Sequence, residues 1–199
     1  MLEEAAAPRH GIDLFWIPLG ADAHVVRVSG RLYEAVVASI RRRPRADLYH
    51  SALEVRVPEA RYVIEQAPIP DDDGARRGVV AEGPVALEML GRFRLFRYEI
   101  RCWRDGVIPD VRQAVGSPVH LSDDVDRARR VLELLPSIPT PRWGRDDLHT
   151  GEMWNSNSVV SWVLAGAGVP VASVLPPTGG RAPGWHAGAV IAERSRRDA

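Results

Sequence analysis

A chain of 199 residues is long enough for one well-buried hydrophobic core and short for two. Hydrophobic residues make up 45% of the chain, which argues against an intrinsically disordered protein. The formal net charge is zero, so the composition gives no reason to expect binding to nucleic acid or to an anionic membrane surface. We therefore expect a single domain over residues 1–199, with neither nucleic acid nor membrane as a partner.

The cysteine and lysine content limits the catalytic mechanisms that are possible and indicates the cellular compartment. The single cysteine, Cys102, cannot form an intrachain disulfide, which fits a reducing compartment. All the basic residues are arginine, so mechanisms that need a catalytic lysine are excluded. Residues 1–10 lack the basic start and apolar stretch of a signal peptide, and no run approaches the roughly 18 apolar residues of a membrane span. These features predict a cytoplasmic protein with frayed termini at 1–10 and 193–199.

Strands are predicted where apolar residues alternate or run together, and helices where they recur every three or four positions. In chain order, the pattern predicts a strand at Ile12–Leu19, a helix at Arg31–Arg43, a hairpin of strands at Asp47–Val57 and Arg61–Ala67, a strand at Arg92–Arg104, a helix at Ser122–Leu135 capped by Ser122, a helix from about Glu152 to Ala165, and an edge strand at Gly184–Ala192. The strands are clustered and mostly linked as hairpins. We therefore expect an α+β fold with an antiparallel sheet and helices packed against it.

The start of the helix near Glu152–Ala165 is the first candidate for chemistry. Ser156 lies three, four, seven and eight positions before Val159, Val160, Val163 and Leu164, so it shares their inward face. The first turn of a helix carries unpaired backbone N–H groups, which can hold an oxyanion. Ser and Asn are also the usual N-cap residues, so Asn155 and Asn157 fit either a binding role or a purely structural cap.

Two further candidates lie on the predicted hairpin. His50 is the one histidine in the middle of a predicted strand, on the face that carries Ala52, and Glu65 interrupts an apolar run on the partner strand. Which acidic or amide side chain shares the histidine face depends on the turn. A three-residue turn at 58–60 puts Gln66 there, whereas a two-residue turn or a bulge puts Glu65 there.

The order of a strand histidine, an acidic residue on the next strand and a small polar residue at a late helix start resembles the circularly permuted papain-like hydrolases, relatives of the NlpC-type peptidases and of lecithin retinol acyltransferase. The matching stretches are Tyr49-His50-Ser51-Ala52-Leu53, Tyr62-Val63-Ile64-Glu65-Gln66-Ala67 and Trp154-Asn155-Ser156-Asn157-Ser158-Val159-Val160-Ser161-Trp162. The resemblance implies a papain-like permuted fold in which His50 is the base, Glu65 orients it and Ser156 takes the place of the nucleophile. It implies no cofactor. That family normally has cysteine where this chain has Ser156.

The serine leaves the activity open. A helix N-terminus lowers a thiol pKa from about 8.5, but a hydroxyl must be deprotonated by the base during attack. One reading is therefore a hydrolase or acyltransferase for an amide or ester, acting on a small-molecule or peptide substrate. In that reading, Asn155, Asn157 and Gln66 would bind the oxyanion or substrate. The other readings are a catalytically inactive papain-like binding domain and a plain structural module.

The remaining polar residues suggest structural roles. Cys102 lies on an apolar strand face and is expected to be a buried, slowly reacting thiol. A phosphate-binding face could be formed by Arg92, Arg94, Arg97, Arg101 and Arg104, but Glu99 among them and the zero net charge favour a solvated strand face. The histidines and acidic residues show no recognised ligand spacing, so no metal site is predicted.

Overall fold

The computed structural model describes residues 10–19, 46–68, 78–85 and 97–198. Within them lie seven strands and three α-helices: β1 Gly11–Pro18, β2 Asp47–Val57, β3 Ala60–Pro68, β4 Val79–Pro84, β5 Arg97–Arg104, β6 Val119–Ser122, α1 Val125–Leu134, α2 Ser156–Gly166, β7 Gly180–Arg181 and α3 Trp185–Arg197. The predicted helix at 31–43, the start of the predicted strand at 92–104 and the first nine residues lie outside the described residues.

The strands form one sheet with the order β4-β5-β3-β2-β1-β6, in which every neighbouring pair is antiparallel. The short β7 runs parallel to the start of β2, where it pairs with Asp47 and Leu48. The expected α+β class, with helices packed against an antiparallel sheet, is confirmed at this level. The finer expectation of a permuted papain-like fold stays a prediction.

The two faces of the sheet carry different packing. The even-numbered residues of β1 and the odd-numbered residues of β2 join all three helices in the main hydrophobic core, to which Trp16, Leu53, Val131, Val160 and Ile191 belong. On the other face, a smaller cluster contains Ile17, Ala52, Val63 and Ile108. Helix α2 lies centrally on the first face, because its residues from Ser156 to Ala165 are all buried.

The hairpin between β2 and β3 settles the register left open by the sequence. Val57 pairs with Ala60, so the turn has two residues, Pro58 and Glu59. Pairing then runs back to Leu53 opposite Ile64. Continued along both strands, this register puts Glu65 on the face of β2 that carries Ala52 and His50, and turns Gln66 to the helix side.

The predicted edge strand at Gly184–Ala192 is wrong, because this segment is the helix α3, which begins at Trp185. Its small residues give little periodicity, and tertiary packing decides the structure. A Cβ at Gly188 would lie 2.0 Å from the Ser158 carbonyl oxygen of α2, so the two helices touch backbone to backbone there. The helix includes residues 193–197, part of the C-terminal segment for which the sequence predicts fraying. Arg194 donates to the carbonyls of the loop before α2.

The other two helices are shorter than predicted at their N-termini. Helix α1 is capped by Asp124, whose carboxylate accepts from the N–H groups of Asp126 and Arg127, and not by Ser122. Ser122 instead accepts from the Asp124 N–H. Helix α2 begins at Ser156 rather than near residue 152. No helix within the described ranges has the length and apolar character needed to cross a membrane.

Candidate functional site

The first turn of α2 is built from reciprocal polar contacts. The side chain of Asn155 accepts from the Asn157 N–H at 2.9 Å, and the Ser158 hydroxyl accepts from the Asn155 N–H at 3.1 Å. The Ser158 hydroxyl also donates to the Gly184 carbonyl at 2.8 Å, which ties this turn to the start of α3. The sequence Asn-Ser-Asn-Ser thus folds into a cap, as the capping preferences of these residues favour.

Asn157 fastens this turn to β2. Its Oδ1 accepts from the Ser51 hydroxyl at 2.8 Å, and its Nδ2 donates to the Tyr49 carbonyl at 2.9 Å and the Pro183 carbonyl at 2.9 Å. Tyr49 and Ser51 are the residues on either side of His50. The helix start and the strand segment of His50 therefore meet, as the sequence predicts.

The ring of His50, however, points to the other face of the sheet. Successive strand residues point to opposite faces, and the Ser51 side chain points to α2. His50 pairs with Ile17 of β1 and shares its face with Ile17 and Ala52, which belong to the smaller cluster. No described residue forms a hydrogen bond with the imidazole. Among the described residues, no hydrogen bond joins Ser156 to His50, and the catalytic role of the two residues stays a prediction.

His50 is half-buried. Burial lowers the pKa of its imidazole to about 4, so the ring is uncharged at neutral pH. A neutral imidazole has the protonation state of a general base. What this site lacks is the geometry, because a base must lie within hydrogen-bond reach of the proton that it takes.

Glu65, the predicted orienter of His50, forms an ion pair with Arg101. Its Oε1 accepts from Arg101 Nη1 at 2.8 Å, and Arg101 Nε donates to Glu99 Oε1 at 2.5 Å. Burial raises the pKa of the Glu65 carboxyl, and the neighbouring Arg101 guanidinium opposes that rise. Glu65, Arg101 and Glu99 thus form a buried cluster, and no hydrogen bond joins Glu65 to His50 among the described residues.

This cluster also corrects the interpretation of β5 as a solvated face. Glu99 is 2% exposed and Arg101 is 7% exposed. Arg101 lies directly opposite Glu65 in the register of β3 and β5. The sequence contains a signal for this cluster. Strand β5 carries Glu99 and Arg101 two positions apart, and β3 carries Glu65 within an apolar run. The alternation of side chains along a strand does not show which face of the sheet is covered by other parts of the protein.

The predicted oxyanion and substrate-binding residues divide into two kinds. The side chains of Asn155 and Asn157 hold β2, α2 and the segment before α3 together, so their hydrogen bonds are structural. Gln66 is different, because it is 6% exposed and neither its Nε2 nor its Oε1 has a hydrogen-bond partner. Ser156 is 5% exposed at the first position of α2.

The indole Nε1 of Trp154, directly before the cap residue Asn155, is buried without a partner. Among the described residues, no group of three or more His, Cys, Asp or Glu side chains is placed to hold a metal ion. Within the ranges that the structure describes, no base forms a hydrogen bond with the Ser156 hydroxyl.

Searches against family models, curated proteins and solved structures found no match to this chain.

Proposed function

We propose that this chain is a catalytically inactive binding domain that resembles the papain-like hydrolases and binds its ligand at the start of α2. The direction of the His50 ring carries the proposal. The hydrogen bond from Ser51 to Asn157 turns Ser51 toward the helix, and His50 therefore points away from it.

Three further features support a binding role over catalysis. The position that carries cysteine in the resembling family is Ser156, whose hydroxyl needs a base for activation. The carboxylate that would orient such a base, Glu65, is held by Arg101. The amides of Asn155 and Asn157, which could stabilise an oxyanion, are occupied within the fold.

A thiol placed at the site tests whether His50 acts on it. The variant Ser156→Cys is made together with Cys102→Ala, so that the introduced thiol is the only one, and its alkylation by iodoacetamide is followed at neutral pH. We expect that adding His50→Ala changes the rate less than about twofold, because the ring faces away. The helix N-terminus depresses the thiol pKa to the same extent in both proteins, so it does not affect the comparison.

A drop of about tenfold or more on removing His50 would overturn the proposal. It would favour the hydrolase or acyltransferase that acts on an amide or ester through Ser156 and His50. Circular dichroism of both variants serves as the control, because a rate change is informative only when the fold is retained.

A further inference from the structure

The start of α2 binds one peptide group of the chain itself. The side-chain amides of Asn155 and Asn157 both donate to the Pro183 carbonyl, each at 2.9 Å. The next backbone N–H, that of Gly184, donates to the Glu152 carboxylate at 2.9 Å. The peptide group that joins Pro183 to Gly184 is therefore bound at its carbonyl and at its N–H by side chains of the α2 start and the loop before it.

The contacts continue past this peptide group. The Ser158 hydroxyl donates to the Gly184 carbonyl at 2.8 Å, and the His186 N–H donates to the same oxygen of Glu152 at 3.3 Å. In proteins that bind peptides, hydrogen bonds to the main chain give affinity. The start of α2 makes contacts of this kind with residues 183–186, which we call the strap.

The same contacts require glycine at position 184. Gly184 has φ +87°, a conformation that residues with a side chain rarely adopt. A Cβ there would lie 2.6 Å from Asn155 Oδ1, 2.7 Å from Ser158 Oγ and 2.8 Å from the Met153 carbonyl oxygen. The arrangement therefore accepts glycine and excludes a residue with a side chain.

The strap depends on these contacts for its helix cap. Gly184 is the N-cap of α3 and has no side chain to accept from the first helical N–H groups. Glu152, 32 residues earlier in the chain, supplies the acceptor instead. Separation of the strap from the α2 start would leave these N–H groups without that acceptor. The first turn of α3 is therefore stabilised by the same side chains that bind the peptide group.

Trp185 holds the strap in this closed position. Its ring lies 5.0 Å from the ring of Trp16, and its Nε1 donates to the Val171 carbonyl at 3.1 Å. These contacts lie outside the set that binds the peptide group. The closed arrangement is thus the resting state of the protein.

We infer that the strap is an internal pseudo-ligand that closes the proposed binding site. The start of α2 binds a glycine-containing peptide, and residues 183–186 occupy it until such a peptide displaces them. A competing peptide supplies a carbonyl to the two asparagine amides, a glycine N–H to Glu152 and the glycine carbonyl to Ser158. The inference rests on the proposed binding function, since it names the ligand class of that site and the contact that regulates it.

The variant Gly184→Ala displaces the strap, because its Cβ would overlap with Asn155 and Ser158. The probe is the sequence of the strap as a free peptide, fluorescein-Ala-Pro-Gly-Trp-His-amide, and binding is followed by fluorescence anisotropy. A site that is closed most of the time binds with an apparent Kd raised by the inverse of its open fraction. We therefore expect Gly184→Ala to bind the peptide at least about tenfold more tightly than the unmodified protein does.

The matched control is Gly179→Ala. Gly179 also has a left-handed φ, +78°, but nothing lies within 4 Å of its Cβ. The control adds a similar backbone strain and leaves the strap in place, so its affinity should equal that of the unmodified protein. A peptide with alanine in place of glycine should bind to none of the three proteins. No binding to Gly184→Ala, equal binding to all three proteins, or equal binding of the alanine peptide would overturn the inference.

Hydrogen exchange in the unmodified protein is a second measurement that does not depend on the folding of a variant. The Gly184 and His186 N–H groups should exchange through a local opening, with a lower opening free energy than Val160 and Val163 inside α2. Equal opening free energies would show that the strap separates only when the whole domain unfolds, and would refute the pseudo-ligand. The His50 alkylation rates do not depend on this result, so the ligand class and the lack of catalysis are tested separately.

Discussion

Replacing Arg101 with methionine should be among the most destabilising single changes on the sheet face opposite the helices. The guanidinium contacts Glu65 at 2.8 Å and Glu99 at 2.5 Å, and the three side chains are 8%, 9% and 3% exposed. Arg101→Met keeps most of the aliphatic volume but removes the charge that both carboxylates face.

The magnitude follows from the burial. Removing one partner of a buried ion pair typically costs about 3–5 kcal/mol, because an uncompensated charge remains. Domains of this size usually have about 5–15 kcal/mol of stability in total, so the loss is a large fraction. The cost should shrink in acid. Burial raises the Glu65 pKa, so protonation relieves the buried charge as the pH falls.

Urea unfolding at pH 7 and pH 4.5 measures both effects. The matched control is Arg97→Met, because Arg97 pairs with Glu82 at 3.0 Å with side chains 37% and 40% exposed, and such pairs contribute about 1 kcal/mol or less. A cost for Arg101→Met no greater than that of Arg97→Met at pH 7 would refute the reasoning.

Three smaller predictions concern single side chains. Burial lowers the His50 pKa from 6.5 to about 4, so the stability that depends on a neutral imidazole is complete above pH 6.5 and is lost as the pH falls toward 4. Between these pH values, the free energy of unfolding measured in urea should fall by up to about 3 kcal/mol less in His50→Gln than in the unmodified protein. The same pH profile in both proteins would contradict this. Burial raises the Cys102 pKa to about 11, so a disulfide reagent at pH 7.5 should label it far more slowly in the native protein than in denaturant, and equal rates would show an exposed thiol. Gly188→Ala should lower the free energy of unfolding by about 1–3 kcal/mol, because the new Cβ would lie 2.0 Å from the Ser158 carbonyl, whereas Gly116→Asn, with nothing within 4 Å of its Cβ, should change it little.

The sequence predicts those elements whose pattern is local and strong. The alternation of Asp47–Val57 and the apolar spacing after Ser156 predict β2 and the core of α2, and both form. The segment at Gly184–Ala192 gives no such pattern. It is a helix because Gly188 allows α3 to approach the backbone of α2, which is a tertiary effect that residue spacing does not show.

The candidate site also has features that the sequence predicts and features that it does not. The resemblance to the papain-like hydrolases predicts that the start of α2 lies beside the strand segment of His50, and Asn157 bonds to Tyr49 and Ser51 there. The direction of the His50 ring could not be predicted, because alternation separates the two faces of a strand without saying which one the helix covers. Burial of Arg101 depends in the same way on what packs over the sheet. A charged residue at alternate positions predicts a face but not its exposure.

The most direct test of the central claim is whether the Ser156 hydroxyl is activated in the unmodified protein. A fluorophosphonate phosphonylates an activated serine, and intact-mass and peptide mass spectrometry locate the adduct, with Ser156→Ala as the control. An inactive binding domain predicts no adduct at Ser156 above the level found with the denatured protein. Stoichiometric modification of Ser156 that disappears in His50→Ala would contradict the account and establish the catalytic pair.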